Sequence, residues 1–252
     1  MRRVLVVGIG SGDPRHVTVQ AIEALNRAAV VFEIERGASE LTSAREDILR
    51  RHVTGDFRLV SLAEPRRDRE SPEYASAVHD WRSRRADVWE RAIERELRDG
   101  EEGAFLVWGD PSLYDSTIAV LDEVAGRGRV IFTIDVVPGI SSIQALTARH
   151  GIVLNRVGGA VLITTGRRLS DHGWPSGVDD LVVMLDAGGA FRRVLDHPCD
   201  IYWGAYLGTA DELLVAGPLH EVADEIDRIR AQARERKGWI MDCYLLRSRA
   251  TE

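Results

Sequence analysis

Residues 105–116 are FLVWGDPSLYDS, an apolar run that ends at Gly109-Asp110-Pro111. The run predicts a buried strand, and we expect the chain to pass directly into a helix because the fixed φ of Pro111 suits a first helical turn. Gly109 lets the backbone come close to a ligand, and Asp110 offers a short polar acceptor. Such turns, at the carboxyl ends of parallel strands, are where open α/β sheets bind small molecules. An ordinary capped turn explains this stretch alone equally well.

Two further strand ends have the same character. A short apolar strand at residues 4–7 leads into GIGSGDP at residues 8–14, and a strand over residues 130–137 leads into PGISS at residues 138–142. The amides and hydroxyls of PGISS could hold a carboxylate or a ribose, with an ordinary helix N-cap as the alternative.

The first loop also permits a dinucleotide-binding interpretation. Glu33 and Glu35 close the next predicted strand at about the distance where a ribose-binding acid lies, so an NAD(P)-dependent oxidoreductase is one alternative function. The pattern has a defect, because Asp13 and Pro14 stand where the fingerprint requires its third glycine.

The predicted elements indicate an α/β chain. In the first half we predict further strands over residues 29–34 and 57–62 and helices over residues 41–52 and 74–97. In the second half we predict strands over residues 160–165, 180–185, 201–206 and 240–246, with helices over residues 191–195 and 219–233. Pro138-Gly139 is the expected junction between an N-terminal lobe, residues 1–138, and a C-terminal lobe, residues 139–252.

Composition limits the class of protein. With 252 residues, 44% hydrophobic and 29% charged, the chain resembles a soluble enzyme, and no apolar run approaches the roughly 18 residues of a membrane span. A net charge of −7 argues against a general nucleic-acid binder. The N-terminal apolar run is too short for a signal peptide, so we expect a cytoplasmic protein. Cys199 and Cys243 have no metal-ligand or disulfide spacing, and no metal site is predicted.

In order and rough spacing, the three loop segments resemble the tetrapyrrole methylases. The matching blocks are residues 7–14 with Thr18, residues 108–114 and residues 137–142. The resemblance spans essentially the whole chain and implies a two-lobed α/β methyltransferase that binds S-adenosylmethionine in a cleft between the lobes and yields S-adenosylhomocysteine. It also implies a tetrapyrrole (precorrin) substrate and points to a homodimer.

Within that family, three features look most like the deacetylating branch: residues 34–37, the long Arg-containing stretch before Trp89, and residues 105–110. This likeness implies methylation of precorrin-5 at carbon 1 with release of acetate, giving precorrin-6A in cobalamin biosynthesis. Another precorrin C-methyltransferase of the family is the nearest alternative. A protein that keeps the ligand cleft without turnover is a further one.

The resemblance implies cofactor contacts on all three blocks and in the second lobe. These contacts are Ser11, Trp108, Gly109, Asp110, Leu113, Ser141, Ser142, Leu185 and Gly208. Many family members have proline where this chain has Ser11, which leaves the side-chain detail of that contact open.

Methyl transfer from a sulfonium is an in-line displacement, so holding two reactants in alignment outranks acid–base catalysis. The carboxylate arms of a precorrin need donors, and we expect these to include Gly12, His16, Arg36, Arg66 and Arg67, together with Arg69. A solvated surface loop is the competing interpretation of the arginine-rich residues 64–72.

Release of acetate requires activation of a water molecule. The candidates lie at the first two loops: Asp13 and His16 in the first, Tyr114 and Asp115 in the second. Asp13 and Tyr114 are the predicted catalytic residues.

Overall fold

The computed structural model describes residues 1–35, 39–65 and 74–249, and within these the side chains of residues 1–34, 43–65 and 80–249. The chain divides into two compact units, Met1–Ser141 and Ser142–Glu252. From the sequence, the junction is expected at Pro138-Gly139.

The first unit alternates strands and helices. Its strands are β1 (Arg2–Gly8), β2 (Val30–Glu35), β3 (Arg58–Ala63), β4 (Glu102–Val107) and β5 (Phe132–Val137), and its helices are α1 (Val19–Arg27), α2 (Ser39–His52), α3 (Tyr74–Glu96) and α4 (Thr117–Arg127). A short 3-10 turn, Pro14–His16, precedes α1. All the strands pair in parallel, in the order β3-β2-β4-β1-β5.

Alternating side chains of β1 explain why both faces of this sheet are covered. Val4 and Val6 belong to a core with residues of α3 and α4, whereas Leu5 and Val7 belong to a core with residues of α1 and α2. A strand that is apolar on both sides predicts helices on both faces of a parallel sheet, as observed.

The strand order brings three loops together. Because β4 and β5 both pair with β1, the carboxyl ends of these three parallel strands are neighbours at one edge of the sheet. In the dinucleotide-binding order, β2 lies beside β1; here β4 separates them. Glu33 and Glu35 therefore lie on a strand that is not adjacent to the glycine-rich loop, and the oxidoreductase alternative loses its structural support.

One predicted boundary is wrong. The chain does not enter a helix at Pro111, because α4 begins only at Thr117. Asp110 accepts a hydrogen bond from the Ser112 amide at 2.8 Å, which closes a local turn. Tyr114 then adopts a left-handed φ of 51°, which interrupts any continuation toward a helix.

The second unit is a mixed sheet with helices. Its strands are β6 (Val161–Thr165), β7 (Asp180–Met184), β8 (Cys199–Ala205), β9 (Leu213–Pro218) and β10 (Asp242–Ser248), and its helices are α5 (Ser142–His150), α6 (Gly166–His172) and α7 (Leu219–Lys237). The strand order is β6-β7-β10-β8-β9, with β6 and β7 parallel and the other pairs antiparallel. The sequence analysis misses β9 and α6, and the helix predicted near Phe191 is a 3-10 helix, Ala190–Val194.

Among the described residues, none of the helices has the length and apolar character needed to cross a membrane. Within the same residues, no group of three or more His, Cys, Asp or Glu side chains is placed to hold a metal ion.

Candidate functional site

Three glycines, one from each predicted loop, meet backbone to backbone at the carboxyl edge of the first sheet. A Cβ on Gly8 would lie 2.6 Å from the amide nitrogen of Gly139 and 2.9 Å from the carbonyl oxygen of Gly109. A Cβ on Gly139 would lie 2.9 Å from Cα of Gly8 and closer still to the Gly109 oxygen. These separations are well inside van der Waals contact, so side chains are excluded from this three-glycine junction.

Asp110 fastens the junction. Its Oδ2 accepts a hydrogen bond from the amide of Gly139 at 2.8 Å, and its Oδ1 accepts from both the amide and the hydroxyl of Ser112. Partial burial raises the pKa of the Asp110 carboxyl, but the hydrogen bonds from Ser112 and Gly139 outweigh it, so that the pKa lies below its ordinary value. Asp110 is thus ionised and joins the loops after β4 and β5; we call its hydrogen bonds to Gly139 and Ser112 the Asp110 strut.

The loops after β1 and β4 are joined by a small bridge. The amide of Gly109 donates to the carbonyl of Gly10 at 2.8 Å, and the amide of Gly10 donates back at 3.3 Å. Both glycines have left-handed φ values, 81° for Gly10 and 73° for Gly109, which favour residues without a side chain. The structure therefore brings Ser11, Trp108, Gly109 and Asp110 to one edge of the first sheet.

Several buried polar atoms around this bridge have no hydrogen-bond partner among the residues that the structure describes. They are the hydroxyl of Ser11, whose residue is only 1% exposed, the indole nitrogen of Trp108 and Nδ1 of His16. Buried polar groups are normally paired, and an unpaired one requires an explanation such as a ligand. The orphaned atoms of Ser11 and Trp108 lie on loops that the glycine bridge joins.

Asp13 stabilises the first loop. It accepts a hydrogen bond from the amide of Arg15 at 2.8 Å, capping the 3-10 turn, and pairs with the Arg15 guanidinium at 2.6 Å. The side-chain hydrogen bond from Arg15 lowers the pKa of Asp13 to about 2. A carboxylate of such low pKa is a weak general base at neutral pH, so this geometry favours capping over catalysis.

Tyr114 lies farther along the second loop. It is 46% exposed and holds its left-handed backbone two residues before the N-cap of α4. Nearby, Leu113 closes a turn onto the carbonyl of Asp110 at 3.2 Å, and Asp115 accepts from the amide of Thr117 at 2.6 Å. Asp115 is therefore occupied at the start of α4. The Tyr114 side chain is partly exposed at the surface of this unit.

The residues predicted in the second half gather within the second unit. Cys243 of β10 pairs with Met184 of β7 and with Gly204 of β8, so the ends of β7 and β8 flank the start of β10. The thiol of Cys243 contacts the carbonyl of Ser142 at 3.9 Å, which brings the start of α5 to the same edge. Gly208 follows β8 with a φ of 80°, and its amide donates to Glu212 at 2.8 Å.

Leu185, at the end of β7, is a strained and exposed residue. Its φ is 52° and it is 65% exposed. A left-handed conformation is costly for a side chain with a Cβ, and such strain is concentrated at functional sites.

The strain at Leu185 is held by a buried network that the sequence analysis missed. The Asp186 carboxylate accepts from the amides of residues 188–190 at 2.7–3.0 Å and from the hydroxyl of Tyr244 at 2.7 Å. Arg230 donates to the Asp186 carbonyl at 2.6 Å. Burial, together with the neighbouring Asp186 charge, raises the pKa of Tyr244, which keeps its hydroxyl protonated and donating.

Two further predicted residues, Ser141 and Gly12, belong to the first unit. Ser141 is buried at the end of the first unit. Gly12 has a φ of 143°, a value that glycine adopts readily. The candidate substrate-binding residues Arg36, Arg66 and Arg67 lie outside the described residues, and so does Arg69.

The roles of Gly8 and Gly139 also escaped sequence reasoning. Both stood in recognised motifs, but their contact depends on the pairing of β1 with β4 and β5, which local pattern does not contain. Asp186 did carry a signal: an acidic residue followed by Gly188-Gly189 after a buried strand is typical of a side chain that caps a turn.

Comparison with known proteins assigns this arrangement to a family. The model of the Tetrapyrrole (Corrin/Porphyrin) Methylases matches residues 3–223. A precorrin-6A synthase [deacetylating] from Sinorhizobium sp. is 52% identical, over 99% of this chain and 97% of that protein.

Two solved structures are similar to this chain. A cobalamin synthesis related protein (CobF) from Corynebacterium diphtheriae superposes with a TM-score of 0.83 at 36% identity, covering 98% of this chain and 99% of the other. Uroporphyrin-III C-methyl transferase from Thermus thermophilus, solved with S-adenosyl homocysteine, has a TM-score of 0.57 at 20% identity, covers 97% and 91% of the two chains, and shares the fold. The chain belongs to the tetrapyrrole (corrin/porphyrin) methylase family.

Proposed function

We propose that this protein methylates precorrin-5 at carbon 1, using S-adenosylmethionine, and releases acetate to give precorrin-6A. The observation that carries the proposal is the 52% identity, over nearly the whole of both chains, to a precorrin-6A synthase [deacetylating]. A precorrin-2 C(20)-methyltransferase from Sinorhizobium sp. is less similar, at 28% identity over 67% of this chain.

The residues of the first sheet edge fit S-adenosylmethionine. The buried hydroxyl of Ser11 can donate or accept, and the indole N–H of Trp108 can donate, and neither has a partner within the described protein. The glycines beside them bring bare backbone to the edge, as close approach of a nucleoside requires. Ser11, Trp108 and Gly109, with Leu113, would hold the nucleoside, while Asp110 would keep their loops in register.

The chain's own contribution to methyl transfer is alignment. When bound, S-adenosylmethionine supplies an electrophilic methyl group on a sulfonium, which already leaves readily. The three-glycine junction and the Asp110 strut hold the loops after β1, β4 and β5 as one rigid edge. A fixed edge of this kind lowers the entropic part of the barrier, because the reacting atoms are brought together before reaction.

For acetate release, the geometry favours Tyr114 over Asp13. The Asp13 carboxylate is paired with Arg15 and its pKa is lowered to about 2, so it holds a proton poorly and accepts one weakly. Tyr114 is exposed on the loop after β4. We assign Tyr114 to contact the tetrapyrrole beside the acetyl group. Water would add to the acetyl carbonyl and lose its proton, and the bond between the carbonyl carbon and carbon 1 would break to release acetate. The electron pair of that bond would stay on carbon 1, which takes the methyl group. His16, Gly12 and the arginines at positions 36, 66 and 67 stay candidates for the carboxylate arms.

The experiment is a conversion assay with purified protein, precorrin-5 and S-adenosylmethionine carrying a 13C-methyl group. The proposal predicts one labelled methyl group in the product and one equivalent of acetate per turnover, measured by mass spectrometry and NMR. Methylation without acetate would instead indicate another precorrin methyltransferase of the family. The absence of methylated product would refute the proposal. The cytoplasmic location and the homodimer expected from the sequence stay predictions.

A further inference from the structure

Arg85, on α3, is a charged residue inside the core of the first unit. It is 0% exposed, and its guanidinium carbon lies 4.6 Å from the ring centroid of Trp81 and 4.8 Å from that of Trp89. A buried guanidinium must be paired, because removing a charge from water is costly. The partners of Arg85 therefore indicate what it holds in place.

Those partners lie on two segments that leave the carboxyl edge of the sheet. Nε of Arg85 donates to Oε1 of Glu64, directly after β3, at 2.6 Å. Its Nη1 donates to the hydroxyl of Ser116, at the end of the loop after β4, also at 2.6 Å. The indole of Trp81 donates to the carbonyl of Pro65 at 2.9 Å. One helix face thus ties both segments to the core.

The Ser116 hydroxyl bonds to Arg85 instead of capping α4. It occupies the N-cap position of α4, where a serine normally accepts from a backbone amide, yet it makes no side-chain cap bond. Asp115 accepts from the amide of Thr117 instead. The Ser116 hydroxyl serves the guanidinium of Arg85, so the hydrogen bond anchors the loop rather than the helix.

The loop after β4 is consequently held at both ends. Asp110 is bonded to Gly139 at the near end, and Ser116 is bonded to Arg85 at the far end. Between these anchors, Tyr114 keeps its left-handed φ of 51°. Strain of this kind persists only where the surrounding structure imposes it.

We propose that Arg85 is a positioning residue for the methyltransferase reaction: through Ser116 it holds Tyr114 in the left-handed conformation that places the ring against the tetrapyrrole. The inference rests on the proposed function. Arg85 is buried and acts on the substrate only through the loop. The pairing with Glu64 keeps its guanidinium oriented toward Ser116.

The test uses Ser116→Ala, because removing Arg85 would strand the Glu64 carboxylate and endanger folding. With saturating S-adenosylmethionine, kcat/KM for precorrin-5 should fall about tenfold, since small misplacements at a reacting centre can cost up to about 100-fold. Ser116→Thr, which keeps a hydroxyl, should restore most of the activity.

Ser83 provides a matched control. Its hydroxyl accepts from Nη2 of Arg127 at 3.1 Å. This is a serine–arginine contact that joins α3 to α4 itself and not to the loop after β4. Ser83→Ala should leave kcat/KM within about twofold of the wild type, because a bond of this kind contributes little unless it positions the reacting groups.

A double-mutant cycle separates positioning from general structural damage. If Ser116 acts through Tyr114, then Ser116→Ala should cause no further loss in a Tyr114→Ala background. The same fold-loss in both backgrounds, or no loss in the wild-type background, would overturn the inference. If the wild-type protein converts precorrin-5 and the losses from the two substitutions simply add, the positioning role of Arg85 is refuted while the proposed function stands. If the wild-type protein forms no methylated product, the proposed function fails and takes the inference with it.

Discussion

The amide of Gly139 donates a hydrogen bond of 2.8 Å to Oδ2 of Asp110, joining two loops that are separated in sequence by the whole of α4 and β5. The same carboxylate accepts from Ser112 on its other oxygen. Asp110 therefore joins the loops after β4 and β5 at this edge of the sheet, in addition to the packing of the three glycines.

Replacing Asp110 by alanine should lower the free energy of unfolding by about 2–3 kcal/mol, because hydrogen bonds to a charged group are lost and the Gly139 amide loses its acceptor. Binding of S-adenosylhomocysteine, measured by calorimetry, should weaken about tenfold as the edge loosens. Asp122 is an exposed aspartate on α4, so Asp122→Ala is the control and should change neither quantity. Unaltered affinity in Asp110→Ala would remove the strut from the binding site.

The three-glycine junction makes a second prediction. Gly139→Ala places a methyl group against the backbone of Gly8 and Gly109, at separations that force the loops apart. Backbone cannot yield as a flexible side chain can, so the variant should lose at least about 3 kcal/mol of stability or fail to accumulate as folded protein. Thermal unfolding followed by circular dichroism measures the loss.

Gly126 is the matched glycine. It lies within α4, and a Cβ there would meet nothing within 4 Å. Gly126→Ala should stabilise the protein by about 0.5–1 kcal/mol, as expected for an exposed helical glycine. Equal effects of the two substitutions would contradict the close packing at the junction.

The strand-and-helix rhythm of the first unit is predictable because its apolar runs are short, strongly periodic and separated by glycine or polar residues. The start of the next helix cannot be predicted at Pro111, because a proline that suits a helix start equally suits the turn that Asp110 closes with Ser112. The strand β9 was missed because it ends in Gly217-Pro218, a pair that normally marks a turn. The strand lies at the edge of its sheet, where proline is tolerated.

The candidate site is predictable as a set of loops but not as a set of contacts. Ser11, Trp108 and Asp110 were indicated by motif, whereas the meeting of Gly8 with Gly139 follows from strand order. Arg85 was invisible for a different reason: a charged residue within a charged helix predicts a solvated face, and only the flanking indoles and Glu64 show that it is buried.

Ser11→Ala should separate binding from stability. The Ser11 hydroxyl is buried and has no partner in the described part of the chain, so its removal should leave the free energy of unfolding of the ligand-free protein unchanged or raise it by up to about 1 kcal/mol. Affinity for S-adenosylhomocysteine should fall about fivefold, the effect of losing one hydrogen bond. A loss of stability with unchanged affinity would assign Ser11 to the fold alone.

Thr165→Ala is the complementary control. Thr165 caps α6 by accepting from the amide of Arg168, so the substitution should cost about 1 kcal/mol of stability without changing affinity.

Asp13 and Arg15 give a pH-dependent prediction. The Arg15 guanidinium lowers the pKa of Asp13 to about 2, below its ordinary value of 3.8. Because the folded-state pKa is depressed, the stabilisation is present above the unfolded pKa and is lost as pH falls from about 4 through about 2. In Arg15→Ala the pKa of Asp13 should rise toward 3.8, as measured by 13C NMR titration of its carboxyl. A pKa that stays near 2 in that variant would show that the backbone cap, not Arg15, controls it.

A crystal structure of the protein with S-adenosylhomocysteine tests the central claim, that the loops after β1, β4 and β5 form the nucleoside-binding edge, most directly. The account predicts density for the ligand within hydrogen-bonding distance of the Ser11 hydroxyl or the Trp108 indole nitrogen, with its backbone contacts at Gly109. Density placed elsewhere, with the Ser11 hydroxyl and the Trp108 indole nitrogen still unpaired, or adenosine extended along the first loop toward Glu33 as in a dinucleotide-binding protein, would contradict it.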